Sequence, residues 1–458
     1  MASDRKYSRK DLKKALRKTS RGPLRYMFIA IGLLASMTLI VAIAAAFKGN
    51  PPSRTPAEAG AEGPSSDPSE AAASTGSEEE TVIPEGGTDI VIGATGSMLM
   101  HSPIMDKALQ EDGTYDFSPI FEYIAPYYSA PDLMTCEMEG AVCPEGYEPS
   151  GHPMFRVPGT FITAIRDSGV DLQMLASNHI YDALTLGLDT TIDFYESNGI
   201  GFTGIRKTAE DKNYYIADIN GVKVGYLNYT LQTAGDGVFI NAIYVPAEDA
   251  ERINTFNPYN YEPFLEEAKE TIASMRKDGA DFIVANMHWG IEYMLEPGED
   301  QVAIANALCD MGVDALIGGH PHCEEPVDVI ESSDGSHSMF CIYSVGNALS
   351  NQREELMLYD MPGGYTEDGV IINMTVHKDA DGTTRLTGVE AIPTWVYEII
   401  DENGIWTNLF YILALDDVAH IEETTGMKGI QEEAQASYDR TMSIIGEGME
   451  KAQKAFHP

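Results

Sequence analysis

Three short clusters hold the side chains best suited to chemistry. They are Asn178-His179 with Asp182 three residues on, His288-Trp289-Gly290, and Gly319-His320-Pro321-His322. Each follows an apolar run, at 172–176, 281–286 and 315–317. Such runs read as strands, so the clusters fall at strand ends, where open α/β sheets keep their ligand sites. Imidazole is the commonest metal-ligating side chain, and several converging on one sheet edge suit a hydrolytic metal centre. A divalent ion there lowers the pKa of a bound water and clamps reacting phosphoryl oxygens, leaving the protein to supply an acid. Imidazole with carboxylate is a donor set that suits Mn, Fe or Zn better than Ca or Mg. Alternate residues of an extended segment face one side, so His320 and His322 are expected to share a pocket. Competing uses exist: Asn178 or Asp182 could cap a helix, and His288 could be a satisfied core histidine. His101, just past the first strand, could reach the same pocket. Asn347, Asn351 and Arg353 near it would suit an anionic substrate. Trp289 reads as pocket wall and Glu292 as either a surface carboxylate or one supporting the site. His152, His337, His377, His420 and His457 read as solvated.

The elements that must position these residues start at a strand over 89–93. Helical patterns cover 160–168, 184–198 (stopping at Gly199), 264–277 and 300–311 (stopping at Gly312). Residues 214–219 and 222–227, separated by Asn220-Gly221, form a hairpin signal. Later strands are read at 340–344, 369–376 and 386–392. Helices alternating with strands, joined by both hairpins and crossovers, predict an α/β fold with mixed sheets. The folded body is placed at 88–400. Residues 401–458, helical and acidic over 421–454, are read as a terminal appendage. No internal repeat is visible.

The net charge of −41 over 458 residues is unevenly spread. Residues 1–25 hold ten Lys/Arg against two Asp/Glu, a net of +8, leaving 20 Lys/Arg against 69 Asp/Glu, or −49, in the remainder. Such a body repels nucleic acid phosphates, which excludes non-specific DNA or RNA binding. Residues 26–47 are 22 positions without a charge, about 33 Å as a helix and enough to cross a bilayer core. The basic residues before them place 1–25 in the cytoplasm and the body outside the cell membrane. A cleaved signal peptide is the rival, given Ala44-Ala45-Ala46, but the run is long for one. Residues 48–87 are rich in Pro, Gly, Ser, Ala and Glu and read as a disordered stalk. The five cysteines form no CxxC pair. Cys136 and Cys143 could close a small loop, whereas Cys309, Cys323 and Cys341 read as buried thiols.

Six motifs in order carry a resemblance: ATGSMLMHSPI at 94–104, CEMEG at 136–140, ASNHIYD at 176–182, NMHWGIEY at 286–293, IGGHPH at 317–322 and YSVGNALSNQ at 343–352. Together they resemble the bacterial CapA family, the poly-γ-glutamate capsule branch of the calcineurin-like metallophosphoesterases, over about residues 88–396. The resemblance implies a two-sheet sandwich flanked by helices, with one or two divalent metals at the strand ends. It implies Glu139, Asn178, His288, His320 and His322 as metal ligands, His179 as proton donor to a leaving group, and Asp182 as its orienting partner. It further implies a membrane-attached hydrolase serving capsule or envelope polymer assembly, acting on a phosphoester or anionic polymer, in the company of a polymer synthase. Two positions depart from the family pattern. Ser97 stands where the family has a metal-binding Asp, and Glu137 where it usually has Asn. Residues two apart in a strand face one side, so Glu137 is expected to join Glu139 in the pocket and to replace the missing carboxylate as a ligand. The alternative is a non-catalytic, polymer-binding accessory subunit with a degenerate metal site.

Overall fold

Strand and helix patterns sort into two mixed sheets stacked face to face, with helices on both outer faces. The structure, a computed structural model, describes residues 86–233, 236–400 and 406–457. The tail, the membrane span and nearly all of the stalk read from residues 1–87 lie outside the described residues. Among those described, no helix is long and apolar enough to cross a membrane.

The first sheet is built on four parallel strands, β1 (Thr88–Leu99), β2 (Leu133–Glu139), β3 (Leu172–Met174) and β4 (Gly201–Thr203). The second holds the hairpin β5 (Tyr214–Ile219) and β6 (Val222–Leu231), then β7 (Thr255–Phe256), β8 (Phe282–His288), β9 (Ala315–Gly319), β10 (Glu324–Glu331) and β11 (Ser338–Val345). Its order is β7-β6-β8-β9-β11-β10, with β5 beside β6. The chain then returns to the first sheet through β12 (Asn347–Leu349), β13 (Asp368–Lys378), β14 (Thr384–Ile400) and β15 (Trp406–Ala414). The first sheet therefore reads β15-β14-β13-β1-β2-β3-β4, with β12 parallel to β1.

Alternation decides which face each strand buries. In β2, Leu133 packs between the sheets with Ile90, Ile92 and Ala94 of β1 and with Val224, Val284 and Ile342 opposite. Met134, Cys136 and Met138 point the other way. They meet Phe161 and Ile165 of α2 (Gly159–Asp167) and Leu188, Ile192 and Tyr195 of α3 (Leu184–Asn198), beyond α1 (Ser102–Ala108). The outer face of the second sheet is covered by α4 (Glu262–Lys277) and α5 (Glu299–Asp310) through residues such as Phe264, Ile272, Ile304 and Leu308.

The stretch read as an appendage lies within the fold. β15 completes the edge hairpin with β14, so a boundary at 400 cuts that hairpin. The acidic helical pattern divides into a short turn at Ile421–Thr425 and the long α6 (Gln431–Phe456). Helix α6 carries Ile445, Met449, Ala452 and Phe456 into the core between the sheets. That i, i+4, i+7, i+11 stripe is narrow, and surrounding Glu and Lys mask it in the sequence. A polar seam runs beside it: Arg440 holds Asp368 through Nε at 2.5 Å and Nη2 at 2.7 Å. Ser437 donates to the same carboxylate, and Thr441 donates to Glu324, each at 2.7 Å.

Next to Glu324, Glu325 is fully buried, with Gln301 Nε2 as its one donor among the described residues, at 2.8 Å. Burial, with Glu296 and Asp300 nearby, pushes its carboxyl up to about 7 against an ordinary 4.5. A folded-state pKa raised this way means the native state keeps the proton longer than the unfolded chain. Its contribution to stability is complete below about 4.5 and is lost as pH rises through about 7. Glu325→Gln, whose amide oxygen can still accept from Gln301 Nε2 while Gln301 Oε1 keeps the Gly298 N–H, is expected to flatten the fall of melting temperature between pH 5 and 8. At pH 8 the variant should gain up to about 3 kcal/mol over the parent. Parallel pH profiles of the two proteins would rule this out.

Candidate metal centre

The two sheets present their strand ends at one edge. Glu137 and Glu139 continue the inner face that begins at Leu133, as period-two alternation requires. β1 needs a device to bring Ser97 to that face, because Ile90, Ile92 and Ala94 set the opposite parity. A bulge at Gly96 supplies it, since the pairing with β2 shifts register between Thr95 and Ser97. Ser97 then faces inward beside Glu137, while Met98 joins the outer core. Gly96 is obligatory here, since a Cβ would sit 2.0 Å from the Gly346 carbonyl oxygen. From the second sheet, His288 ends β8, while His320 and His322 lie in the turn between β9 and β10.

His320 and His322 share a pocket, but not as alternate residues of an extended segment. Both sit in the left-handed region, at φ 95° and 60°, which costs of order 1–3 kcal/mol each and persists where surrounding structure holds it. Their ring centroids are 6.0 Å apart, and those of His288 and His320 are 4.6 Å apart. His288 gives Nδ1 to Glu137 Oε1 at 2.5 Å and sets Nε2 3.2 Å from Asn178 Oδ1. Glu139 is fully buried, yet among the described residues neither carboxylate oxygen has a hydrogen-bond partner. His320 Nδ1 is likewise buried and unpartnered. Burial opposes the Glu139 charge, but His322, His288 and His179 together hold its pKa below the usual range. Burial and its histidine neighbours drive His320 well below 6.5, so it offers a lone pair at neutral pH. Ligand atoms of Glu137, Glu139 and His288 lie within 4.8 Å of one another. A buried carboxylate without a hydrogen-bond donor is costly in a protein interior. A divalent cation resolves that cost, so the donor set fits a metal ion.

Beside this cluster stands an acid–base pair. Asp182 Oδ2 lies 2.7 Å from His179 Nδ1 and accepts the Phe155 N–H at 2.6 Å. Its Oδ1 accepts from Asn241 Nδ2 at 3.0 Å. The aspartate thereby holds the imidazole proton on Nδ1 and turns Nε2 outward, and Phe155 packs edge-on to the ring at 4.7 Å. Asn241 sits at φ 49° in a small hairpin outside the motifs. No spacing in the sequence marks it.

Other sequence-predicted residues take different positions. Asn347 is fully buried and holds His322: its Oδ1 is 3.1 Å from Nδ1, and its Nδ2 donates to carbonyls of His322 and Thr366 and to Gln352. It orients a candidate ligand and is not offered to a substrate. Arg353 is largely buried and ion-paired with Glu398, an arrangement that the sequence expectation of a substrate contact did not foresee. His101 does reach the pocket. Its Nδ1 accepts the Asn351 N–H at 3.2 Å, and burial, with His322 and His152 near, pushes its pKa down to about 3. His152 is exposed but stands at the rim, its ring 6.4 Å from that of Phe155. Cys136 and Cys143 are both free thiols. A cleft of about 450 Å³ lined by Asp132, Asp171, Tyr215 and Asn220 opens at the opposite strand ends. Its three carboxylates, Asp132, Asp171 and Asp218, are already bonded to the Val91, Met134 and Gly221 amides, so it is not a rival site.

Stacked mixed sheets whose shared edge gathers imidazoles, a bare carboxylate and a carboxamide define a helix-flanked α/β sandwich with a candidate metal centre. The chain belongs to the bacterial capsule synthesis protein family (PGA_cap), which matches residues 91–352. It is 26% identical over 305 residues to the capsule biosynthesis protein CapA of Bacillus anthracis, covering 64% of this chain and 67% of that one. It is 22% identical over 296 residues to the PGA biosynthesis protein CapA of Bacillus subtilis (strain 168), covering 64% and 69%. A third relative, the trifunctional nucleotide phosphoesterase protein YfkN of Bacillus subtilis (strain 168), is 30% identical over 166 residues, 31% of this chain and 10% of that protein.

Proposed function

We propose that this chain is a membrane-anchored, extracytoplasmic metal-dependent phosphoesterase or related hydrolase. It serves assembly of a capsule or envelope polymer of the poly-γ-glutamate type. The observation that carries the reading is Glu139, a buried carboxylate with neither oxygen hydrogen-bonded among the described residues, set among His322, His288 and His179. The phosphoesterase name of one relative supports a phosphoester substrate, and the capsule names of the other two support the polymer role.

Glu139, Asn178, His288, His320 and His322 would hold Mn, Fe or Zn. A bound divalent ion supplies an activated water and positive charge against phosphoryl oxygens. His179, its Nδ1–H held by Asp182, would carry a second proton on Nε2 and deliver it to the departing oxygen. His101, neutral with Nδ1 occupied, presents its Nε2–H to the same space as a donor to an anionic substrate. Metal analysis of the full chain, paired with a phosphodiesterase assay, tests the reading: bound metal with metal-dependent hydrolysis supports it, and a metal-free, inert protein defeats it.

One observation favours a second reading, a polymer-binding accessory subunit of a membrane synthase. Ser97 offers a hydroxyl, not a carboxylate, and that hydroxyl is spent on Glu137 at 2.7 Å. Metal binding without hydrolysis, together with retention on immobilised poly-γ-glutamate, would select it.

Anchoring makes its own prediction. With residues 26–47 as a single span and 1–25 inside, protease added to intact protoplasts should digest the body and spare the N-terminal tail. Protection of the body would refute that topology.

A further inference from the structure

Glu137 stands among the candidate ligands, yet both of its oxygens are engaged. Oε1 meets His288 Nδ1 at 2.5 Å, and Oε2 accepts the Ser97 hydroxyl at 2.7 Å. The neighbouring Glu139 accepts no hydrogen bond among the described residues, and His322 Nδ1 stands 4.0 Å from its Oε1. The fold makes room for this arrangement: a Cβ on residue 319 would fall 2.2 Å from Glu137 Oε2, so Gly319 leaves the space the carboxylate fills. Register sets the partners, because Ser97 pairs with Glu137 across β1 and β2, and His288 pairs with Gly319 across β8 and β9.

We infer that Glu137 is a positioning residue, not a ligand: with Ser97 it fixes the Nδ1 proton of His288, so that Nε2 beside Asn178 Oδ1 is the ligand atom. The inference rests on the reading of this cluster as a metal centre. With the proton held on Nδ1, His288 Nε2 and Asn178 Oδ1 are two acceptors 3.2 Å apart. Their juxtaposition calls for a cation between them, which is a proton on Nε2 in the metal-free protein and the metal ion when loaded. A carboxylate on the far nitrogen of a ligating imidazole fixes ring orientation and raises ligand basicity. The exchange of roles has a consequence for stoichiometry. No carboxylate comes from position 97, and the one at 137 is committed elsewhere. The cluster therefore has one tight position, shared by Glu139, Asn178, His288, His320 and His322.

The test uses the full chain in detergent, with isotope-labelled histidine and Zn²⁺ alone as the probe. A proton on His288 Nδ1, assigned by its absence in His288→Gln, should be seen in the metal-free protein and survive Zn²⁺ addition. Loss of that signal on Zn²⁺ binding, or its absence beforehand, would overturn the inference by making Nδ1 the metal-facing atom. Calorimetry supplies a second arm. Glu137→Gln should keep one Zn²⁺ per chain and weaken it roughly 10–100-fold, as removal of an outer partner does. Ser97→Ala should weaken it less and keep the same stoichiometry. Two tight Zn²⁺ in the parent, one of them lost in Glu137→Gln, would instead make Glu137 a ligand. A parent that binds no Zn²⁺ at all fails the metal-centre reading, and the metal-free Nδ1 signal still decides what Glu137 bonds.

Discussion

Replacing His320 or His322 with alanine should strip the protein of most of its divalent metal. Each imidazole stands in a buried cluster with the unpartnered Glu139 carboxylate, and each adopts a left-handed backbone that little besides a fixed role would maintain. Removing a ligand leaves that buried carboxylate with less compensation. The affinity loss should exceed the roughly 10–100-fold typical of an outer hydrogen-bond partner. Asn347→Ala supplies the internal comparison, since Asn347 holds His322 at 3.1 Å without facing the cluster; its loss should stay within that smaller range. Elemental analysis of the purified chain checks both. Full metal content in both histidine variants would remove these residues from the site.

The second large effect is expected at His179. His179→Asn should leave metal content intact and lower any metal-dependent hydrolytic rate by roughly 10²–10⁴, the usual worth of a positioned general acid. The geometry separates the two functions. His179 is tied to Asp182, which the Phe155 amide and Asn241 hold in turn, and none of these residues bonds His288 or His320. Asn241→Ala should then give a milder loss of rate, because one of three contacts to Asp182 goes. Loss of metal in His179→Asn would recast it as a ligand; unchanged rate and metal would take it out of the chemistry.

What could be read from the sequence follows from which interactions are local. The hairpin at Asn220-Gly221 and the helix 184–198 stopping at Gly199 are set by residues within a few positions, and both appear where the pattern placed them. The histidine clusters were legible because strand ends gather ligands whatever the details of packing. The pairing of β1 with β13, across almost 300 positions, was not legible, nor were β10 and β15, edge strands of local hairpins whose own patterns are weak. The stripe Ile445, Met449, Ala452, Phe456 is diluted by charged neighbours. Asn241 enters the site from a hairpin with no motif around it. Glu137 was read as a ligand from its parity in β2. Parity places it within 4.8 Å of the Glu139 and His288 ligand atoms, but does not show its hydrogen bonds to Ser97 and His288. Asn347 and Arg353 were legible as neighbours of the site, but not as groups already engaged by His322 and Glu398.

The position of α6 bears on how the chain is made. The central strand β1 pairs with β13, whose residues follow it by almost 300 positions, and the core between the sheets is closed by α6 later still. Synthesis runs from the N-terminus, so the inner faces of both sheets exist as polypeptide well before their cover does. Contacts of such separation fold slowly and leave apolar strands exposed in the meantime. A nascent chain halted before Gln431 would hold every candidate ligand yet show an open seam along β10 and β14. Such a chain is a substrate for holdases and proteases, and the last helix to emerge is the one that ends that exposure.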